Sequence, residues 1–304
     1  MDAPPAGIAR AGPIGEFIRP PRHSGTHLLP ATFLREPGRS QAPSRSFRRF
    51  GRVASMIDFA PGRLQLPLMN EADYFSIVEA THDIQNPTSP GKLREVAERL
   101  EVGDGDRVLD IGSGRGFWPV LLAERGADVV GLEINPGFAA AAERRAAEAG
   151  VQEKVRTVVG PAADFPVEPG GYAVASCLGA SFALGGYRAA LERLSEELAA
   201  GGRLAIGDLH STDGTSTDEL PSLAELVHIV EEFDFEIVGI VAAGHDDWDR
   251  YESLHWKNAH DWAVRNPEHP DREAVLADSR RFRNDYLANR GQLGWTIVCG
   301  VRKG

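Results

Sequence analysis

The sequence predicts an α/β fold, a parallel sheet with helices on both faces. Three features carry that expectation. Short apolar runs of strand length alternate with stretches of helical period between residues 107 and 241. The first run passes through a carboxylate into a glycine-rich turn, Asp110-Ile111-Gly112-Ser113-Gly114-Arg115-Gly116, which opens a helix. A chain of 304 residues, 42% hydrophobic and 25% charged, also has apolar material enough to cover both faces of a large sheet.

Residues 1–55 stand apart. They hold nine Arg, three acids (Asp2, Glu16, Glu36), no Lys and eight Pro, with no sustained period. Such a segment cannot bury enough apolar surface to offset its ordering entropy, so a disordered leader is expected. Pro20-Pro21 and the other prolines break any amphipathic targeting helix. Met56 and Met69 are the only methionines after Met1, and translation starting at either would remove the leader.

The folded part is expected over residues 70–304. Tyr74, Ile77, Val78 and Thr81 share a helical face that starts near Asp73 and is expected to run to Asn86-Pro87, since proline disfavours helix in the residue before it. A second helix, Ser89 to Leu100, places Pro90 in its first turn and Leu93, Val96, Ala97 and Leu100 inward. Strands follow at Val108–Ile111, Val129–Glu133, Val155–Val159, Tyr172–Leu178, Arg203–Asp208 and Phe235–Val241, with Gly201-Gly202 read as the turn before the fifth. Helices are expected at Phe117–Arg125, Pro136–Ala149, Tyr187–Ala199 and Leu223–Glu232. Two more, Trp248–Val264 and Arg272–Asn289, form a helical insertion at about 245–290 before a last strand, Gly294–Arg302.

Composition narrows the classes of function. The net charge is −11, and −17 once the +6 leader is set aside, which disfavours nucleic acid and anionic membranes as partners. Cys177 and Cys299 sit in apolar, strand-like runs and read as buried free thiols; their number excludes a disulfide framework. No Cys/His cluster has zinc-ligand spacing, so no metal is expected. With no apolar run of about 18 residues and no apolar secretory core, a cytoplasmic protein is expected.

The glycines at 112, 114 and 116 give G-x-G-x-G with Phe117 next, not the G-x-G-x-x-G/A of dinucleotide-binding turns. Asp110 would sit badly beside a pyrophosphate but well beside a cationic amino-acid group. Glu133, at the end of the second strand, is placed to accept from both ribose hydroxyls of an adenosine. After the third strand, Gly160-Pro161-Ala162-Ala163-Asp164-Phe165 offers a short side chain and an acid to bound an adenine and accept from its amino group.

Val108–Gly116, Glu133 and Ala163-Asp164 resemble the successive motifs of the class I S-adenosylmethionine-dependent methyltransferases, over about residues 70–304. The resemblance implies a Rossmann-like, seven-stranded, mostly parallel sheet whose last strand, Trp295–Val301, is antiparallel and lies beside the sixth. It implies that S-adenosylmethionine is the cofactor. Asp110, Gly112 and Gly114 would line its amino-acid end, Glu133 its ribose, and Ile134, Ala163 and Asp164 its adenine, with Ser113 and Leu178 completing the set. Thr81–Pro87, the Cys177–Gly186 tract and the Trp/Tyr-rich C-terminal part further resemble a bacterial subgroup of small-molecule methyltransferases, so a small-molecule methyl acceptor is the expected partner.

Leu178–Gly186 lacks the Asp/Asn-Pro-Pro-aromatic motif that holds planar amines, which disfavours N-methylation of bases; Gly179 and Ala180 leave room near the methyl, and Ser181 is a candidate donor to the acceptor. Methyl transfer needs alignment and, for some acceptors, a base. The candidates are His210 after the fifth strand, His82, and Asp208. Trp248, Tyr251, His255, Ala259 and Trp262 share one helical face, read either as packing against Val275, Phe282 and Tyr286 or, through Trp248 and Tyr251, as a roof over the acceptor. Asp246, Asp247 and Asp249 read as a helix N-terminal cap and solvated charge. Two other readings stay open on the residues: a nicotinamide-dependent oxidoreductase, disfavoured by Phe117 and Asp110, and a non-catalytic S-adenosylmethionine-binding protein.

Overall fold

The computed structural model describes residues 70–217 and 220–303, so the leader expected over residues 1–55 and the alternative starts at Met56 and Met69 lie outside the described residues. Seven strands form one sheet: β1 (Arg107–Ile111), β2 (Asp128–Glu133), β3 (Val155–Val159), β4 (Tyr172–Leu178), β5 (Leu198–Ser211), β6 (Phe235–Ala242) and β7 (Leu293–Arg302). Eight helices surround it among the described residues: α1 (Glu71–Val78), α2 (Pro90–Arg99), α3 (Phe117–Ala123), α4 (Pro136–Glu148), α5 (Tyr187–Glu197), α6 (Leu223–Glu232), α7 (His245–Arg265) and α8 (Arg272–Asn289).

The strand order is β3-β2-β1-β4-β5-β7-β6. The pairs β1–β2, β2–β3, β1–β4 and β4–β5 are parallel, and β7 runs antiparallel between β5 and β6. Chain order reverses between β1 and β4, and in an open α/β sheet the crevice at that reversal, beyond the carboxyl ends, is where ligands bind.

Alternation along the strands divides the core in two. Val108, Val174, Ala205 and Ile297 face a layer that includes Tyr74, Leu93, Trp118, Tyr251 and Phe282 of α1, α2, α3, α7 and α8. Leu109, Ala175, Ile206 and Val298 face the opposite layer with Leu191 and Leu194 of α5 and Val230 of α6. Burial on both faces explains why these strands read as continuous apolar runs.

Some boundaries differ from expectation. α1 stops at Val78 instead of reaching Asn86, because Asn258 Nδ2 takes the Val78 carbonyl at 2.6 Å and the Thr81 hydroxyl donates to Asn258 Oδ1 at 2.8 Å. Residues 79–87 are therefore turns. β5 begins at Leu198, and Gly201-Gly202 lies inside it: Leu198 pairs with Tyr172 and Arg203 with Val174, so the extra residues bulge out of the ladder. It also continues to Ser211, because β7 extends far enough to pair His210 with Gly294 and Ser211 with Leu293. Short 3-10 turns at Ala162–Asp164 and Ser181–Leu184 follow β3 and β4.

Candidate functional site

The carboxyl ends of β1, β2 and β4 meet at the glycine turn. The N–H groups of Gly112 and Ser113 both donate to the Leu132 carbonyl at 2.9 Å, pinning the turn to β2. Gly112 has φ 78° and Gly114 φ 55°, conformations that strain other residues. A Cβ on Gly112 would lie 2.3 Å from the Ala180 Cβ, and one on Gly114 2.1 Å from Gln85 Oε1. The glycines thus let the chain after β4 and the turn after α1 approach the loop backbone. Ser113 turns its side chain onto Gly131 instead, so it offers the ligand space only its backbone.

Glu133 closes the loop from β2. One carboxylate oxygen accepts from Gly114 N–H at 2.8 Å and the other from Asn135 N–H at 2.7 Å, so each keeps a further lone pair. Burial raises its pKa, and those N–H groups oppose the rise. Next to it Ile134 is 67% exposed, and Ala163 and Asp164 are exposed across the rim on the turn after β3. An apolar side chain held in the open at a strand end is a surface for a flat ligand.

Asp110 lies beneath the turn and is buried. The Ser176 hydroxyl of β4 donates to it at 2.7 Å, and Trp118 Nε1 donates to Ser176 Oγ at 3.1 Å. Burial pushes the Asp110 carboxyl up to about 7, the Ser176 hydroxyl holds it down, and the charge of Glu133 adds to the rise. At the end of β4, half-buried Leu178 presents its carbonyl to Asn86 Nδ2 at 3.2 Å.

A buried polar cluster joins the turn after α1 to α7. Tyr251 Oη donates to Glu79 at 2.8 Å, and His255 lies 3.6 Å from Glu79 and 3.7 Å from Glu252. Burial works against charge on His255, but the flanking Glu252 and Glu79 carboxylates outweigh it and push its pKa to about 9. Burial likewise opposes ionisation of Glu79, yet His255 and the Tyr251 hydroxyl hold its carboxyl below the usual range. His82 packs its ring 4.5 Å from that of His255; burial and the neighbouring positive charge pull its pKa down to about 4. Gln85 and Asn86 fall in the Thr81–Pro87 tract that carried the resemblance, with no role assigned to either, and Glu79 and Glu252 were not singled out from the sequence. The available signal was an acid on a buried apolar face, Glu79 directly after α1 and Glu252 within α7.

A cavity of about 610 Å³ opens at the carboxyl ends of β5 and β6 and the start of β7, lined by His210, Ser222, Trp248, Leu293, Trp295 and Thr296 among others. Trp295 also lies against β4: its Nε1 is 3.7 Å from where a Gly179 Cβ would be. His210 is buried within β5, not free beyond a strand end. Its Nδ1 faces the Ser211 carbonyl at 2.9 Å, which can only accept, so Nδ1 carries the hydrogen and Nε2 accepts from the Thr296 hydroxyl at 2.8 Å.

Ser181 donates its hydroxyl to the Asp208 carboxylate, because the 3-10 turn after β4 folds it back toward β5. Trp248 and Tyr251 are both buried: Trp248 stacks on Tyr286 of α8 at 6.2 Å and also borders the cavity, whereas Tyr251 packs against His82 in the turn after α1. Asp246 is exposed, whereas Asp247 is buried, accepts from Gly244 N–H at the start of α7 and pairs with Lys92 and Arg250; Asp249 pairs with Arg290. No group of three or more His, Cys, Asp or Glu side chains among the described residues has metal-site geometry.

Residues 108–202 match the family model described as "Methyltransferase domain". The chain is 31% identical over 243 residues to the uncharacterized protein YjhP of Escherichia coli K12, covering 75% of this chain and 98% of that protein. It superposes on a SAM-dependent methyltransferase from Geobacter sulfurreducens in complex with S-adenosyl-L-homocysteine with TM-score 0.71 and 29% identity, covering 79% of this chain and all of the other. A SAM-dependent methyltransferase from Thiobacillus denitrificans, in complex with the same ligand, gives the same TM-score, identity and coverage.

Proposed function

We propose, from the premise that the chain belongs to the class I S-adenosylmethionine-dependent methyltransferases, that it methylates a small molecule held beside the carboxyl ends of β4 and β5 and the start of β7. S-adenosylmethionine is the cofactor, and the residues present fit it: buried Asp110 toward a cationic end, Glu133 with lone pairs left for two hydroxyls, and exposed Ile134, Ala163 and Asp164 for a planar base. When bound, it supplies an electrophilic methyl group on a sulfonium.

The observation that carries the acceptor class is the cavity of about 610 Å³, a volume suited to a metabolite. The chain's remaining task is alignment, which Gly179 and the ring of Trp295 serve by keeping the exit of β4 open and walled. Trp248 borders the cavity, its buried indole Nε1 has no hydrogen-bond partner among the described residues, and we assign it as the donor to the acceptor. Where the acceptor needs a base we assign His210, whose Ser211 contact fixes the tautomer with the lone pair on Nε2; a rotation of the Thr296 hydroxyl releases it. His82 is too weak a base for that task at neutral pH. No helix among the described residues is long and apolar enough to cross a membrane, and the two buried free cysteines suit a reducing, cytoplasmic setting.

The test is transfer of a labelled methyl group from S-adenosylmethionine across a panel of metabolites. Trp248→Phe is expected to raise the acceptor KM severalfold at unchanged S-adenosylhomocysteine affinity. Cofactor binding without transfer to any acceptor would favour a non-catalytic binding protein.

A further inference from the structure

The turn between α1 and α2 is clamped onto the cofactor loop at two successive residues. Gln85 Oε1 accepts from Arg115 N–H at 2.7 Å, and Gln85 Nε2 donates to Glu79 at 3.1 Å, so both ends of that amide are fixed. Asn86 then reaches the exit of β4. Its Nδ2 must face the Leu178 carbonyl, which can only accept, and this orientation leaves Oδ1 as the other end of the amide. That oxygen is buried and has no hydrogen-bond partner among the described residues.

The surroundings of Oδ1 specify what would satisfy it. Asn86 Cβ lies 3.9 Å from the Cβ position of Gly179, where β4 opens into the crevice. Asp110 and Ser176 are register partners in β1 and β4, on the same sheet face as Leu178, two residues before it in β4. Three acceptors thus lie along the ends of β1 and β4: the Asp110 carboxylate, the Leu178 carbonyl, and Asn86 Oδ1. Leaving such an oxygen buried and unpaired is costly. A group with three N–H donors and no acceptor matches the set, and a primary ammonium is that group.

We infer that Asn86 is a cofactor-binding residue, its side-chain oxygen accepting a hydrogen bond from the α-ammonium of the cofactor's amino-acid end. The inference rests on the cofactor reading above. It gives the turn that precedes the sheet a role in recognising the cofactor, with Gln85 locking that turn to the glycine loop.

The experiment is calorimetric titration of wild type, Asn86→Ala and Asn86→Asp with S-adenosylhomocysteine and with its deaminated analogue, in which hydrogen replaces the α-amino group. Asn86→Ala is expected to weaken S-adenosylhomocysteine about tenfold, the scale of one hydrogen bond to a charged group, and to leave the analogue within about twofold. Asn86→Asp restores an acceptor and is expected to keep or widen the wild-type preference for the amino-bearing ligand. If Asn86→Ala weakens both ligands equally, the residue only holds the turn and the inference falls. It falls as well if deamination leaves wild-type affinity unchanged, an outcome readable even where a variant does not fold. Failure of wild type to bind either ligand would instead overturn the cofactor reading.

Discussion

Lowering the pH from about 8 to about 6 is expected to weaken S-adenosylhomocysteine binding about tenfold, through Asp110. Its carboxyl is buried and stands at about 7 in the free protein, chiefly because burial disfavours the charged form. An ammonium bound beside it favours that charged form, so binding drives the proton off wherever Asp110 still carries one. With the midpoint at about 7, about nine-tenths of the free protein is ionised at a pH of about 8 and about one-tenth at about 6; the affinity follows that ratio. Calorimetry in buffers of different ionisation enthalpy measures both the affinity and the protons released. Asp110→Asn should flatten the profile. Ser176→Ala, which removes the hydroxyl that stabilises the carboxylate, should move its midpoint upward. A wild-type profile identical to that of Asp110→Asn would refute the linkage, as would binding that tightens on acidification.

Three further outcomes are expected. Gly114→Ala places a Cβ on Gln85 Oε1 at φ 55°; it should cost about 1–2 kcal/mol in thermal melts and weaken the cofactor, and pairing it with Gln85→Ala should restore part of the melting temperature. His255→Ala leaves Glu79 and Glu252 buried without their cation, a loss of about 3–5 kcal/mol measured by urea unfolding. Because the folded His255 pKa of about 9 exceeds the unfolded value, its stabilisation is complete below about 6.5 and fades as pH rises through about 9; about 3 kcal/mol of alkaline stability loss should vanish in that variant. His210→Ala should lower kcat about a hundredfold or more on an acceptor that must lose a proton, with S-adenosylhomocysteine affinity unchanged; an equal loss in His82→Asn would contradict the assignment of the base.

How much of this was legible in the sequence depended on how far apart the deciding residues lie. Strands β1 to β4 are set by runs of neighbours, and the glycine turn and Glu133 are set within one β-turn-α unit, so local chemistry was enough to find them. That the last strand is antiparallel and beside β6 followed from resemblance; its place between β5 and β6 had no local signal, since nothing local orders strands that pair across some 90 residues. Where a distant partner decides, local reasoning went astray. Thr81 continues the apolar period of α1, yet Asn258, 177 residues away, takes its hydroxyl and ends the helix region. Ser181 is a free donor in sequence terms but folds onto Asp208.

The same limit hid the face that covers the glycine loop. The aromatic stripe of α7 reads as packing, and most of it is packing, but that reading discounts the polar residues sharing the stripe. Glu252 and His255 on α7 and Glu79 at the end of α1 each interrupt a buried face, and a charge is kept there only if another element brings its partner. Two such interruptions, in segments separated by most of the domain, imply that the segments meet. Once Glu79 is placed against Tyr251 and His255, Gln85 six residues on is anchored through Glu79, and Asn86 is carried to the end of β4. On the proposed reading the cofactor's amino-acid end is held from both sides, by Asp110 from the sheet and by a turn whose anchor is a salt bridge to the far helix.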